Sequence, residues 1–246
     1  MVYEIDGLVM EKAKLQEGVF YISVEAPSIA SEVYPGQFVL VRVSKTADPP
    51  LRRPFSVAWV EDGRIGILFS VVGRGTRLLS EVDVGERLSL RGPLGRGFPH
   101  SSFKLLLVAG GMGIAPILFA HQIYDGRVVF GVRDESYKGL CDWVKERVKD
   151  DLYLFSEDGS IGEKGTAVDG ALSLLEEDTE VWACGPEAML ESLTFRLKGG
   201  AKRILGSLER RMACGIGGCY GCSIRTKGGM KRTCYDGPVF DLREVF

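Results

Sequence analysis

Four of the chain's six cysteines fall between Cys214 and Cys234, with the spacing C-x4-C-x2-C-x11-C. Clustered thiols can ligate metal, cross-link or react. In a reducing compartment disulfides are rare, which makes a bound metal the better account of so many thiols in one place. Zinc ribbons usually pair their cysteines as two C-x2-C knuckles, whereas a gap of four followed by a gap of two is the plant-type [2Fe–2S] spacing. The gaps hold Gly215, Gly217, Gly218 and Gly221. Glycine permits the backbone turns that bring N–H groups close to inorganic sulfide. The expectation is a one-electron carrier on Cys214, Cys219, Cys222 and Cys234. A structural zinc site is the alternative use of the same thiols, and disulfides or free thiols a third.

A one-electron carrier needs a source or sink, and three other stretches offer one. Arg53-Pro54-Phe55-Ser56 opens a predicted strand. The forked guanidinium of Arg53 can grip a pyrophosphate, Phe55 faces the same side two residues on, and the Ser56 hydroxyl can bond a ring heteroatom. Gly73-Arg74-Gly75-Thr76 offers backbone N–H groups ahead of a helix-like LLSEV, a second phosphate contact. Gly110-Gly111-Met112-Gly113, followed by Pro116, stands between a buried apolar run and a helix-like PILFAHQIY. The dinucleotide fingerprint needs a third glycine where Pro116 stands, so this is a variant of it. Its glycines still admit a nucleotide at a strand's carboxyl end, and Cys184-Gly185-Pro186 repeats the arrangement later. Cys184 reads equally as a small core residue. His121, in the predicted helix, reads as a packing or surface residue.

These motifs require elements to hold them. Up to about residue 100, short apolar runs (Phe20 to Val24, Phe38 to Val43, Phe55 to Val60, Ile65 to Val72, Leu88 to Leu90) are bounded by Gly, Pro or Asp. That pattern predicts an antiparallel barrel of about six strands over 1–100. From FKLLLVAGG onward, continuous apolar strands alternate with helical segments, which predicts a doubly wound α/β domain over 101–205. Residues 206–246 are Gly- and Cys-rich with little periodicity, and so small a segment needs a staple. The lysines and glutamates of DWVKERVKD read as a solvated helix face. With 31 Lys and Arg against 33 Asp and Glu, the net charge is −2, which disfavours a nucleic-acid partner. No apolar run is long enough to span a bilayer, and the start MVYEIDG lacks a signal peptide's basic and apolar regions. The chain is expected in the cytoplasm. After the second α/β strand, Asp134 and Glu135 suit a free ribose hydroxyl while Arg133 and Lys138 suit a 2′-phosphate, and the balance favours NAD.

Taken in order, R-P-F-S, G-R-G-T, G-P-L-G at Gly92 to Gly95, G-G-M-G-I-A-P, C-G-P and the cysteine set resemble the ferredoxin reductase superfamily over the whole chain. LRRPFSV, GPLGRGF, MACGIGGCYGC and CYDGPVF are similar to the electron-transfer subunits of two-subunit, NAD-dependent dihydroorotate dehydrogenases. The resemblance implies FAD contacts at Arg53, Pro54, Phe55 and Ser56, around Leu68, Phe69 and Ser70, and at Gly75 and Thr76. Ser70 departs from the pattern, which has arginine after the aromatic. It also implies a nicotinamide domain framed by Gly110, Gly111, Gly113, Pro116, Cys184, Gly185 and Pro186, and a [2Fe–2S] cluster on the four cysteines. The implied partner is an FMN-containing catalytic subunit, two copies of each chain forming a heterotetramer. Electrons from dihydroorotate would pass through the cluster and FAD to NAD+ in pyrimidine biosynthesis. Two rivals are an NAD(P)H-linked reductase subunit of a bifurcating or hydrogenase complex, and a zinc-binding regulatory subunit of the same fold.

Overall fold

Strands β1 (Tyr3–Gln16), β2 (Val19–Glu25), β3 (Phe38–Arg42), β4 (Arg53–Glu61), β5 (Arg64–Ser70) and β6 (Arg87–Leu94) close into an antiparallel barrel in the order β1-β2-β5-β4-β3-β6. The computed structural model describes residues 1–44, 46 and 48–246. Side chains alternate across each strand, so Ile22 and Val24, Val39 and Val41, and Ile65 and Ile67 enter one barrel core. A one-turn helix α1 (Pro27–Ala30) plugs one end through Ile29, and α2 (Arg74–Glu81) covers the core with Leu79.

The second unit is a sheet in the order β10-β9-β8-β7-β11-β12-β15. It comprises β7 (Lys104–Gly110), β8 (Arg127–Val132), β9 (Leu152–Ser156), β10 (Glu163–Lys164), β11 (Thr179–Cys184), β12 (Ile204–Ser207) and β15 (Val239–Asp241). All pairs are parallel except β12 with β15. Successive residues of β7 serve opposite faces. Leu105, Leu107 and Ala109 pack under helices α3 (Ile114–Tyr124) and α4 (Lys138–Val148). Leu106 and Val108 pack under α5 (Ala167–Leu174) and α6 (Glu187–Arg196). Burial on both faces explains why the sequence reads there as continuous apolar runs.

The two units are joined by specific contacts. Phe119 of α3 lies in the barrel's own core. Gln122 accepts from Val60 N at 3.0 Å and donates to Val60 O at 2.6 Å. On α4, a Cβ at Gly139 would meet Leu15 O at 2.0 Å, so only glycine lets the helix lie on β1. Trp143 packs on Tyr21 with ring centroids 4.9 Å apart.

Beyond β12 the chain makes a hairpin of β13 (Ser223–Thr226) and β14 (Gly229–Arg232), then β15 and a last turn, α7 (Leu242–Val245). Residues 239–241 therefore rejoin the α/β sheet, pairing with 205–207. Just before them, Pro238 bridges to Arg96 of the barrel. Among the described residues, no helix is long and apolar enough to cross a membrane.

Candidate functional site

Two adjoining clefts and the cysteine loops meet where the three parts of the chain touch. The larger cleft, about 770 Å³, has a barrel wall built from the start of β4 and the end of β5. Arg53, Pro54, Phe55, Ser56, Leu68, Phe69, Ser70 and Thr76 all line it. Phe55 and Phe69 lie with ring centroids 5.8 Å apart. Arg53 has no carboxylate partner among the described residues, and its Nη1 donates to Leu51 O at 2.5 Å. Its charge is free to meet an anion. Among the described residues the hydroxyls of Ser56 and Ser70 have no hydrogen-bond partner, whereas Thr76 Oγ1 accepts from Val72 N at 2.9 Å and secures the start of α2. Gly75 is not in the lining. A Cβ there would stand 2.8 Å from Arg53 Nε, so its bareness makes room for the arginine's stem.

The smaller cleft, about 380 Å³, lies over the carboxyl ends of β7 and β11, adjacent parallel strands. Gly110, Gly111, Gly113, Gly185 and Pro186 line it. Gly111 has φ +52°, and a Cβ at Gly113 would meet Cys184 O at 2.2 Å. Here glycine is required by close approach of two backbones. The turn before α3 and the start of α6 both open onto this cleft, and helix starts carry the positive end of the helix dipole. Pro116 and Cys184 line neither cleft. Pro116 is buried in the first turn of α3. Cys184 is in the core, where burial raises its thiol far above the usual range and keeps it protonated. His121 is also buried, its Nδ1 3.0 Å from Gly126 O.

Met112, within the Gly110–Gly113 motif, borders both clefts. Leu208, Glu209 and Arg210, which follow β12, border both as well and carry no sequence motif. Their signal is positional: they follow a strand parallel to β11, at the sheet end where α/β proteins bind ligands. Glu209 faces solvent but is crowded by protein, and desolvation raises its carboxyl. Arg210 reaches Glu187 at 3.1 Å across the smaller cleft. Beyond β8, Arg133 Nε pairs with Asp134 at 2.8 Å, so the two opposing charges largely cancel. Asp134 also accepts from Ser136, and these hydrogen bonds, with Arg133, hold its carboxyl down at about 2.

The four cysteines start where the larger cleft ends, since Met212 lines that cleft two residues before Cys214. They form two pairs. Cys219 N donates to Cys214 Sγ at 3.4 Å, and Cys234 N to Cys222 Sγ at 3.4 Å. Gly217 N adds a donor to Cys234 Sγ at 3.2 Å. Cys222 and Cys234 are buried against Phe38, Leu40 and Leu94 of the barrel, while Cys219 is exposed. Desolvation raises the Cys214 thiol, but N–H groups of Ile216, Cys219 and Gly218 and the Cys219 side chain outweigh it and bring it to about 6. Burial, then the Cys222 side chain, push Cys234 up to about 12. Among the described residues, no three metal-ligating side chains converge on one point. All-sulfur donors in two pairs, each with N–H groups aimed at sulfur, fit a two-iron centre with bridging sulfide.

Solved structures of the same architecture place this arrangement. The chain is 32% identical, with a TM-score of 0.85, to an NADH-dependent reduced ferredoxin–NADP oxidoreductase studied for flavin-based electron bifurcation, covering 98% of this chain and 89% of that one. It shares the fold of a ferredoxin reductase of carbazole 1,9a-dioxygenase (22% identity, TM-score 0.65, 81% and 66% covered). Barrel, sheet and cysteine segment together define an oxidoreductase of the ferredoxin reductase class. Residues 209–246 match the iron-sulfur cluster binding domain of dihydroorotate dehydrogenase B. The electron transfer subunit of dihydroorotate dehydrogenase B (NAD(+)) of Clostridium acetobutylicum is 38% identical over 94% of this chain and 93% of its own length. A homolog from Aquifex aeolicus is 38% identical over 100% and 99%. The chain belongs to the family of dihydroorotate dehydrogenase B electron transfer subunits.

Proposed function

We propose that this chain relays electrons from dihydroorotate, oxidised on a separate FMN-bearing subunit, through a [2Fe–2S] cluster and FAD to NAD+. The observation that carries the reading is the placement of two thiol pairs directly beyond the wall of the larger cleft, which itself opens beside the smaller one. FAD, when bound, exchanges a hydride with a nicotinamide and single electrons with an iron-sulfur centre, and so joins the two kinds of chemistry. Arg53 meets its pyrophosphate, the free hydroxyls of Ser56 and Ser70 orient the ring system, and Phe55 and Phe69 give it an apolar wall. Gly75 keeps Arg53 in place. Gly110 to Gly113 and Gly185-Pro186 present helix-start N–H groups to the dinucleotide. Pro116 and Cys184 act behind them by packing. Asp134 remains ionised to meet a ribose hydroxyl, and Arg133, already paired, offers little to a 2′-phosphate.

Residues 1–100, 101–205 and 206–246 serve respectively as flavin, nicotinamide and cluster units. The assembly is a cytoplasmic heterotetramer with two copies of each chain. Isolating the native complex tests this: a companion chain that oxidises dihydroorotate and reduces NAD+ only when both chains are present supports it, and a companion without that activity refutes it. A second reading, a subunit of a bifurcating reductase, rests on the 32% identity over nearly the whole chain to such a structure. The higher identity to the dihydroorotate family, at comparable coverage, favours the first.

A further inference from the structure

The outer face of the barrel beside the cysteine loops is built from arginine. Cross-strand register places Leu40 opposite Arg91, Arg42 opposite Ser89, Glu4 opposite Arg91, Asp6 opposite Ser89 and Leu8 opposite Arg87. Directly paired residues share a face, so Arg42, Arg87 and Arg91 stand together on the outside. Arg52 joins them, with Nη1 on Ser89 O at 2.9 Å and Nη2 on Glu4 at 2.5 Å. Glu4 is shared with Arg91, at 2.6 Å. Arg87 reaches only the backbone carbonyl of Asp6, at 2.8 Å, and Arg42 has no ion pair among the described residues. Four guanidiniums thus face two carboxylates, in a chain whose net charge is −2.

This face is continuous with the cysteine segment. Leu40 belongs to it, and Gly215 packs so closely on Leu40 that a Cβ would stand 2.5 Å from Cδ1. The segment is basic as well: residues 206–246 hold seven Lys and Arg against four Asp and Glu. In the same segment as the exposed Cys219, the large side chains of Ile216, Tyr220, Met230 and Tyr235 are exposed. An apolar centre containing aromatic residues, bordered by an excess of positive charge, is the anatomy of a protein-docking surface.

We propose that the arginine face of the barrel (Arg42, Arg52, Arg87, Arg91) extends the docking surface around Cys219 and receives an acidic patch on the electron-donating subunit. The inference rests on the relay function proposed above and adds to it the partner's charge and the place on this chain that reads it. Electrons must enter over a short distance, so the donor has to cover Cys219. The cysteine segment itself covers Leu40, and Arg91 and Arg42 lie next to Leu40 on the same barrel face. Charge arranged in this way speeds encounter and fixes orientation more than it adds affinity.

The test is the association rate of the cofactor-loaded chain with the dihydroorotate-oxidising subunit, measured against ionic strength, for the wild type and Arg42→Glu/Arg87→Glu. Both substitutions are on solvent-exposed side chains outside the clefts. NADH-dependent reduction of an artificial acceptor and the flavin and iron content should therefore stay unchanged, which checks folding. The proposal expects wild-type association to slow about 10-fold or more from low to high salt, and the variant to be slow and nearly salt-independent. Equal rates for both proteins, or a wild-type rate insensitive to salt, overturns the arginine face while leaving the relay intact. A variant altered only in self-association overturns it in favour of a contact between copies of this chain. If the wild type does not bind the dihydroorotate-oxidising subunit at any salt, the relay reading falls, and the docking proposal with it.

Discussion

The nucleotide clefts and the cysteine segment achieve order by different means. Each cleft is the rim of a packed unit: Phe69 and Val57 belong to the barrel core, and Gly110 and Gly185 flank strands whose side chains are buried on both faces. The segment from Met212 to Asp236 buries few apolar side chains, namely Ile224 and the cysteines Cys222 and Cys234. Its other internal contacts are polar or cation–π. Arg232 sits 4.5 Å from the Tyr235 ring and 5.0 Å from that of Tyr220, and donates to Gly217 O at 3.0 Å. A region with so small a core depends on ligation, whereas the clefts should keep their shape without a ligand.

The contrast breaks most sharply at a cysteine. Cys222→Ser should remove the iron-sulfur absorption and slow dihydroorotate-to-NAD+ transfer by on the order of 100-fold or more, while FAD stays bound. Proteolysis should then cut preferentially within 212–236. Retained transfer with the cluster absent would show that the thiols are not on the electron path.

On the cleft side, Arg53→Ala removes an unpaired charge from the flavin wall. We expect FAD to bind about 10- to 100-fold more weakly, as for a lost charge-assisted hydrogen bond, with the cluster retained. Titration of the apoprotein with FAD, followed by flavin fluorescence, measures this. Gly113→Ala would drive a Cβ into Cys184 O and cost about 1–3 kcal/mol by denaturant unfolding, together with a raised KM for NADH.

The smallest effect is expected at a residue that lines neither cleft and lies outside the cysteine segment. Asp169 accepts from Thr166 at the start of α5 and pairs with Arg196 at 2.8 Å, and these contacts hold its carboxyl at about 2. A depressed carboxyl stabilises the fold above its unfolded value, near 4, and that contribution is lost as pH falls toward 2. Asp169→Ala should therefore cost about 1 kcal/mol at pH 7, and the difference from wild type should shrink as pH is lowered through that window. A thermal melt at each pH reads it.

What the sequence could reveal follows the same division. Five barrel strands were legible because β-branched and aromatic runs stop at Gly, Pro or Asp. The fourteen-residue β1 was not, because charged residues (Glu4, Asp6, Glu11, Lys14) and Met10 occupy its exposed positions and its burial is partial over most of its length. Helix α5 escaped because its signal is a capping box, Thr166 with Asp169, more than an apolar period. β15 escaped because three half-buried residues carry no pattern. In the clefts, Arg53, Ser56 and the glycines were visible as motifs. Leu208, Glu209 and Arg210 were not, since nothing in their types announces that β12 ends beside β11. Gly75 reads in the sequence as a phosphate contact; the fold adds a packing task beside Arg53 that the sequence does not show.

The most direct test is elemental and spectroscopic analysis of the anaerobically purified chain. Two irons, two acid-labile sulfides and one FAD per chain, with visible absorption from both cofactors, are the result expected of Cys214, Cys219, Cys222 and Cys234 gripping a cluster beside the flavin cleft. A colourless protein carrying stoichiometric zinc and no sulfide would contradict it.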